Sequence, residues 1–213
     1  MLKTEKLFIK NNDIKLEAEY YQSNTNTLES IALLVHPHPQ FGGNMYNNVV
    51  SEVYKTFIQN NVSCLRFNFR GVGRSTGNHT NGRGELSDVK VCIDFLIDEK
   101  NYEKILICGY SYGAAIGCSA VNYSEKVFGF VAISFPWDFM GLKYKELSQT
   151  EKPKLFIQGN RDDIANYDNF EENYNYYSAP KKNRIINGAD HFYWGYEEQV
   201  AKAVFEFYES LFI

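Results

Sequence analysis

The sequence predicts an α/β domain built on a mostly parallel sheet. Three observations carry that expectation. Short apolar, β-branched runs bounded by Gly or Pro recur along the chain, helical patterns separate them, and the groups able to do chemistry fall just after three of the runs. At 213 residues the chain suits one domain, residues 1–213, with room for a substantial core.

Taken in order, the chain opens with two alternating segments, about 6–10 and 14–20, around an Asn-Asn-Asp turn, which predicts an antiparallel hairpin. The polar stretch "YQSNTNTLES" (21–30) reads as a loop. Strands are expected at "IALLV" (31–35), "VSCLRFNF" (62–69), "KILICG" (104–109), "VFGFVAIS" (127–134), "KLFIQG" (154–159) and "NRIIN" (183–187). Helical patterns fall near 45–60, 84–99, 112–121, 165–177 and 195–211. There is no repeat, low-complexity tract or interdomain linker.

Composition excludes several classes of partner. With 26 acidic and 22 basic residues and no run of Lys or Arg, the chain offers no stripe for a nucleic-acid backbone and no polybasic membrane patch. The opening "MLKTEKLFIKNNDIKLEAEYY" is charged and alternating where a secretory signal is continuously apolar, and no stretch reaches ~20 apolar residues. A soluble, cytoplasmic protein is expected. Cys64, Cys92, Cys108 and Cys118 all sit in apolar segments without C-x-x-C spacing, so they read as buried free thiols rather than as a zinc site or a disulfide framework.

The chemistry-bearing pattern begins at "ILICGYSYGAAIG" (105–117). Gly109-x-Ser111-x-Gly113 at a strand-to-helix junction is the pattern of a nucleophile elbow, although five residues alone are a weak signal in a chain with 15 glycines. Its partners strengthen it. In a parallel sheet, functional groups gather at the carboxyl ends of the strands, and here Asp162 and Asp163 follow "KLFIQG" while His191 follows "NRIIN". The order is Ser, acid, His. A hydroxyl is a poor nucleophile until a base takes its proton, and a carboxylate must orient that base, so Ser111, His191 and one Asp are the residue types that acyl transfer requires. Asp190 is too near His191 along the chain to be the obvious orienting group and reads as a turn residue. His36 and His38 lack a third ligand nearby, so no metal site is read there.

Five blocks in this order carry a family resemblance: "HPHPQFGGNMYNN" (36–48), "RFNFRGVGRSTG" (66–77), "GYSYGA" (109–114), "GNRDDI" (159–164) and "GADHF" (188–192). The chain resembles the α/β-hydrolase superfamily, and within it the small single-domain enzymes related to the dienelactone-hydrolase group. The resemblance implies an α/β-hydrolase fold with a mostly parallel central sheet, flanking helices and no cap domain, since residues 135–153 leave room for one short helix only.

The resemblance also implies a serine hydrolase without a cofactor, acting on small esters or thioesters. An acyl-peptidase or peptidase, or a catalytically silent binding protein on the same fold, are the alternative readings. The family's Gly-x-x-Asp pattern places the acid at Asp162, with Asp163 a solvated neighbour. Oxyanion donors are expected from the Tyr112 amide and, by alignment, from His38, with Gln40 and Phe41 as alternatives, because Pro37 and Pro39 have no N–H. Arg70, Gly71, Gly73 and Ser75 are expected to brace the crevice. Phe41, Tyr46, Tyr110, Tyr112, Phe135, Trp137, Phe192 and Trp194 border it in sequence, and Phe41, Tyr110, Trp137 and Phe192 are the expected pocket residues.

Overall fold

A computed structural model describes residues 4–24 and 30–212. Of the polar segment read at 21–30, residues 25–29 lie outside the described residues. An eight-stranded sheet runs in the order β1-β2-β4-β3-β5-β6-β7-β8. β1 (Thr4–Asn11) and β2 (Ile14–Tyr21) form the expected hairpin, and β2 pairs antiparallel with β4 (Cys64–Phe67). From there the sheet is parallel through β3 (Ser30–Val35), β5 (Lys104–Tyr110), β6 (Val127–Ile133), β7 (Lys154–Gly159) and β8 (Lys181–Ile186).

Alternation along each strand feeds two cores. Ile31, Leu33 and Val35 of β3, with Ile105 and Ile107 of β5, face one layer, while Ala32, Leu34, Leu106 and Cys108 face the other. The first layer is closed by α2 (Arg83–Asp94) and α3 (Tyr112–Cys118), whose buried Val89, Ile93, Ala114 and Ile116 meet it. The second is closed by α1 (Asn48–Gln59) and α7 (Glu197–Glu209), where the Phe57 ring lies edge-on to Tyr208 with centroids 5.2 Å apart. All four cysteines are buried free thiols inside these layers. Among the described residues no helix is long and apolar enough to cross a membrane.

The chain leaves β3 toward β4 on one side and reaches β5 on the other, so the sheet's connections reverse direction between β3 and β5. At such a switch point the loops beyond the strand ends part and leave a crevice. The loops after β3 and β5 therefore face each other across it.

Several boundaries differ from the sequence reading, each for a local reason. The helix expected over 84–99 is α-helical only to Asp94. It then widens into a π-turn, Phe95–Glu99, which buries both Phe95 and Leu96. The helix expected over 165–177 shrinks to a 3₁₀ turn (Tyr167–Asn169) and α6 (Phe170–Asn175), because the amides of Ile164 and Ala165 are drawn to the Asp162 carboxylate at 3.0 and 2.8 Å. Between β6 and β7 lie two short helices instead of one, α4 (Trp137–Met140) and α5 (Leu142–Leu147), and there is no cap domain.

Strand β4 is shorter than 62–69, and Asn68, just past its end, ties the bend that follows to β2. Its amide donates to the Glu17 carbonyl (2.8 Å) and its side-chain amide to the Glu17 carboxylate (2.9 Å). Of the residues expected to brace the crevice, Arg70 forks onto buried Asp88 of α2 (2.7 and 3.0 Å) and Ser75 Oγ donates to the Asn68 carbonyl (2.8 Å), contacts that tie down the bend after β4.

Opposite Arg66 in the β2–β4 register stands Glu19. The pair is buried, with Arg66 Nε donating to Glu19 Oε2 at 2.8 Å and the guanidinium over the rings of Tyr54 and Tyr46 (4.1 and 4.7 Å). Removing one partner of a buried pair strands the other's charge. Arg66→Met is expected to lose about 3 kcal/mol of stability in urea denaturation, and Arg66→Met combined with Glu19→Leu to recover most of it. Equal losses in the single and double variants would refute the account.

Candidate active site

Ser111 sits between β5 and α3 with φ 55° and ψ −122°, a backbone conformation that few non-glycine residues adopt. The turn is possible because its flanks have no side chains. A Cβ on Gly109 would come within 2.2 Å of the Gly113 carbonyl oxygen, and one on Gly113 within 2.3 Å of the Val35 carbonyl oxygen. The strain lifts the Ser111 hydroxyl out of the sheet's end, where it meets His191.

The three residues singled out in the sequence come together. Ser111 Oγ lies 2.9 Å from His191 Nε2, and His191 Nδ1 lies 2.9 and 3.0 Å from the two oxygens of Asp162. Asp162 is only 1% exposed, His191 6% and Ser111 8%, so the hydroxyl is at the surface end of a buried row. A carboxylate can only accept, so His191 carries its proton on Nδ1 and leaves Nε2 to accept from the hydroxyl. The Tyr110 hydroxyl donates to the His191 carbonyl at 2.5 Å and fixes the loop from below.

Asp162 is held from every side. Its Oδ1 accepts from the Ile164 and Ala165 amides, and its Oδ2 from Ser134 Oγ (2.6 Å) and Gln158 Nε2 (3.0 Å). Asp163, its neighbour, is exposed. Asp190 is also exposed and accepts from the Phe192 amide (2.9 Å), the turn role read from the sequence.

Across the crevice, the loop after β3 has a clear hydrogen-bond inventory. Pro37 and Pro39 have no N–H. The Gln40 amide donates to His38 Nδ1 (3.2 Å), and the Phe41 and Gly43 amides donate to the His38 carbonyl (3.1 and 3.0 Å). The Gly42 amide donates to Pro39 (3.2 Å). Among the described residues, the amides of His38 and of Tyr112 donate to no protein group. The ring of His38 packs on that of Tyr112 at 4.5 Å, and burial, aided by the nearby His79, lowers its pKa.

Ser111 and His191 open into a cleft of about 560 Å³. Of the expected pocket residues, Phe41, Tyr110 and Phe192 line it, but Trp137 does not. Trp137 turns into the core, stacks on Phe135 at 5.1 Å and donates from Nε1 to the Tyr177 hydroxyl (3.1 Å), so its indole N–H is satisfied inside the protein. Tyr46 and Trp194 are exposed outside the cleft lining. The sequence reading missed Asn47, Pro136, Phe139 and Ile164, which do line it, and Ser134 and Gln158, which hold Asp162. Gln158 had a signal: a polar residue inside an apolar strand.

His36 closes the back of the site. It is fully buried, accepts from the Phe69 amide at Nε2 (3.0 Å) and donates from Nδ1 to the Pro37 carbonyl (2.7 Å). Burial lowers its pKa to about 4. In the unfolded chain an imidazole titrates near ~6.5, so between these values the unfolded state binds more protons, and stability present above pH 6.5 is lost as pH falls toward 4. The slope expected from His36 is at most about 1.4 kcal/mol per pH unit. His36→Gln, less stable at pH 7, should show a flatter dependence over that window in urea denaturation. Parallel pH curves for the two proteins would count against it.

Comparison with known proteins bears on the family and the fold. A protein of Rickettsia prowazekii (strain Madrid E) is 36% identical over 197 residues, covering 89% of this chain and 82% of its own. The structure of an α/β serine hydrolase homologue from Coxiella burnetii is similar with a TM-score of 0.84 and 28% identity, covering 95% of this chain and 96% of that one. A Xanthomonas campestris α/β serine hydrolase described as lacking a lid shares the fold at a TM-score of 0.84 and 21% identity, with 98% and 95% coverage. Residues 31–201 match the α/β hydrolase domain family, a span that leaves out the β1–β2 hairpin and takes in the parallel strands, Ser111 and the loops that carry Asp162 and His191. By the extent of that match the chain belongs to the α/β-hydrolase family.

Proposed function

We propose that the protein is a serine hydrolase that cleaves small, uncharged carboxylic esters or thioesters through an acyl-enzyme on Ser111. The observation that carries the reading is the unbroken row from Ser111 Oγ through His191 to Asp162, with each step at 2.9–3.0 Å. Serine hydrolase chemistry in the Coxiella burnetii homologue's description supports it.

In this reading His191 Nε2 takes the Ser111 proton as the oxygen attacks the carbonyl carbon. Asp162 holds the Nδ1–H tautomer and stabilises the imidazolium. The developing oxyanion is met by the uncommitted amides of Tyr112 and His38, whereas the Gln40 and Phe41 amides are already engaged. His191 then protonates the leaving group, and water repeats the sequence on the acyl-enzyme. No step requires a cofactor. The complete site is carried on a single sheet, which supports taking residues 1–213 as one catalytic domain.

The cleft supports the substrate class. None of its described lining residues is Asp, Glu, Lys or Arg, and Phe41, Phe139, Ile164 and Phe192 supply apolar walls. A carboxylate or phosphate on the substrate would enter without a partner, which is costly. With no cap to extend those walls, long acyl chains run into solvent and gain little.

Ser111→Ala is expected to keep the fold and lose at least ~10³-fold in kcat, together with labelling by a fluorophosphonate probe. Asp162→Asn should lose far more activity than Asp163→Asn, since only Asp162 touches His191. Retained activity in Ser111→Ala, or the reverse ranking of the two Asp variants, would overturn these assignments.

Among nitrophenyl esters, kcat/KM should level off by hexanoyl. The hemisuccinate should fall about 100-fold below the butyrate, equivalent to ~2.7 kcal/mol. Equal rates for the charged and neutral esters would remove the charge argument.

A further inference from the structure

Ser134 and Tyr193 have no part in the steps above, yet the backbone is strained at both. Seven non-glycine residues among those described have positive φ. Four are asparagines, Asn12, Asn61, Asn81 and Asn101, a residue type that enters this region readily. The other three are Ser111 (55°), Ser134 (46°) and Tyr193 (55°). For a side chain as bulky as Tyr this is a true outlier, which persists only where the surroundings enforce it.

What the strain achieves is a continuous row of hydroxyls. Ser134 Oγ donates its single proton to Asp162 Oδ2 at 2.6 Å, so the Tyr193 hydroxyl, 2.7 Å from Ser134 Oγ, must be the donor to it. Both residues are 0% exposed. Burial raises the Tyr193 pKa, which keeps its proton in place for donation.

We propose that Tyr193 and Ser134 form a two-hydroxyl relay that positions the Asp162 carboxylate and limits the negative charge it presents to His191. The proposal rests on reading Ser111 and His191 as nucleophile and base. Oδ1 of Asp162 is fixed by two backbone amides, but Oδ2 depends on two side chains, Gln158 and Ser134. Each donor drains charge from the carboxylate and so weakens its hold on an imidazolium. Tyr193 polarises the Ser134 hydroxyl and acts only through it.

Other ionisable groups on this side of His191 include Tyr110, whose ring centroid is 5.7 Å from its own, Asp190, its neighbour in the chain, and Glu197, which acts on Tyr110 and shares the Asn48 amide with the Phe192 carbonyl. Tyr193 faces Tyr110 (6.1 Å between rings) as well as Asp162 and Asp190. Ser134 and Tyr193 are positioning residues.

Two variants separate the relay from packing. Ser134→Gly removes the hydroxyl and accepts the positive φ, while Tyr193→Phe removes the outer hydroxyl and keeps the ring. In Ser134→Gly the acid limb of the kcat/KM profile is expected to move to higher pH by about half a unit, with about a 10-fold drop at the plateau. Tyr193→Phe should move the limb the same way by less. The double variant should move it no further than Ser134→Gly, because the relay is already broken at its inner link.

The downfield proton resonance of His191 Nδ1–H should shift further downfield in Ser134→Gly as Asp162 Oδ2 loses a competing donor. This readout needs no turnover, so it tests the relay even if Ser111 proves not to be a nucleophile. Folded variants with an unmoved limb and resonance, or additive shifts in the double variant, would overturn the proposal.

Discussion

The backbone of Gly113 lies against the ends of β3, so close that a single added methyl group would collide with the carbonyls of both Val35 and His36. From that contact much of the cleft follows. It seats the first turn of α3 on the switch point between β3 and β5, which brings the Tyr112 amide opposite the loop that carries His38. It also forces the chain to reverse within two residues of Gly109, and the only way through is the strained Ser111. Position, strain and exposure of the hydroxyl are thus one steric fact. The residues around it then have to hold a geometry that the local backbone disfavours, which is the work of His36 behind the β3 loop and Tyr110 beneath His191.

Much of this was legible in the chain. Gly109, Gly113, Asp162 and His191 stand in short patterns that say little singly, and it is the order of Ser111, Asp162 and His191 after β5, β7 and β8 that is informative. The sheet was legible because β3, β5, β6 and β7 are buried on both faces and so read as unbroken apolar runs.

What was hidden depends on long-range packing. Nothing in "FPWDF" says that Trp137 turns inward to Tyr177 while Phe139, two residues on, stays 63% exposed at the cleft. Ser134 looked like the end of a strand. Its role emerges only when β6 and β7 pair and bring Asp162 within reach. Helix ends were misplaced where a carboxylate captured the amides, as Asp162 does with Ile164 and Ala165, a competition between side chain and backbone that periodicity does not register.

The open mouth of the cleft has a consequence for how rate is controlled. With only two short helices between β6 and β7, no segment has to swing aside before product leaves or water enters. In the proposed mechanism, turnover is then set by bond making and breaking rather than by a gate, and the acyl intermediate is never sealed from solvent. At the solvent-facing mouth each fixed dipole counts for less than it does in the buried row behind the hydroxyl. Catalytic advantage must come from rigidity instead: groups already aimed before the substrate arrives, so that no reorganisation is left to the moment of reaction.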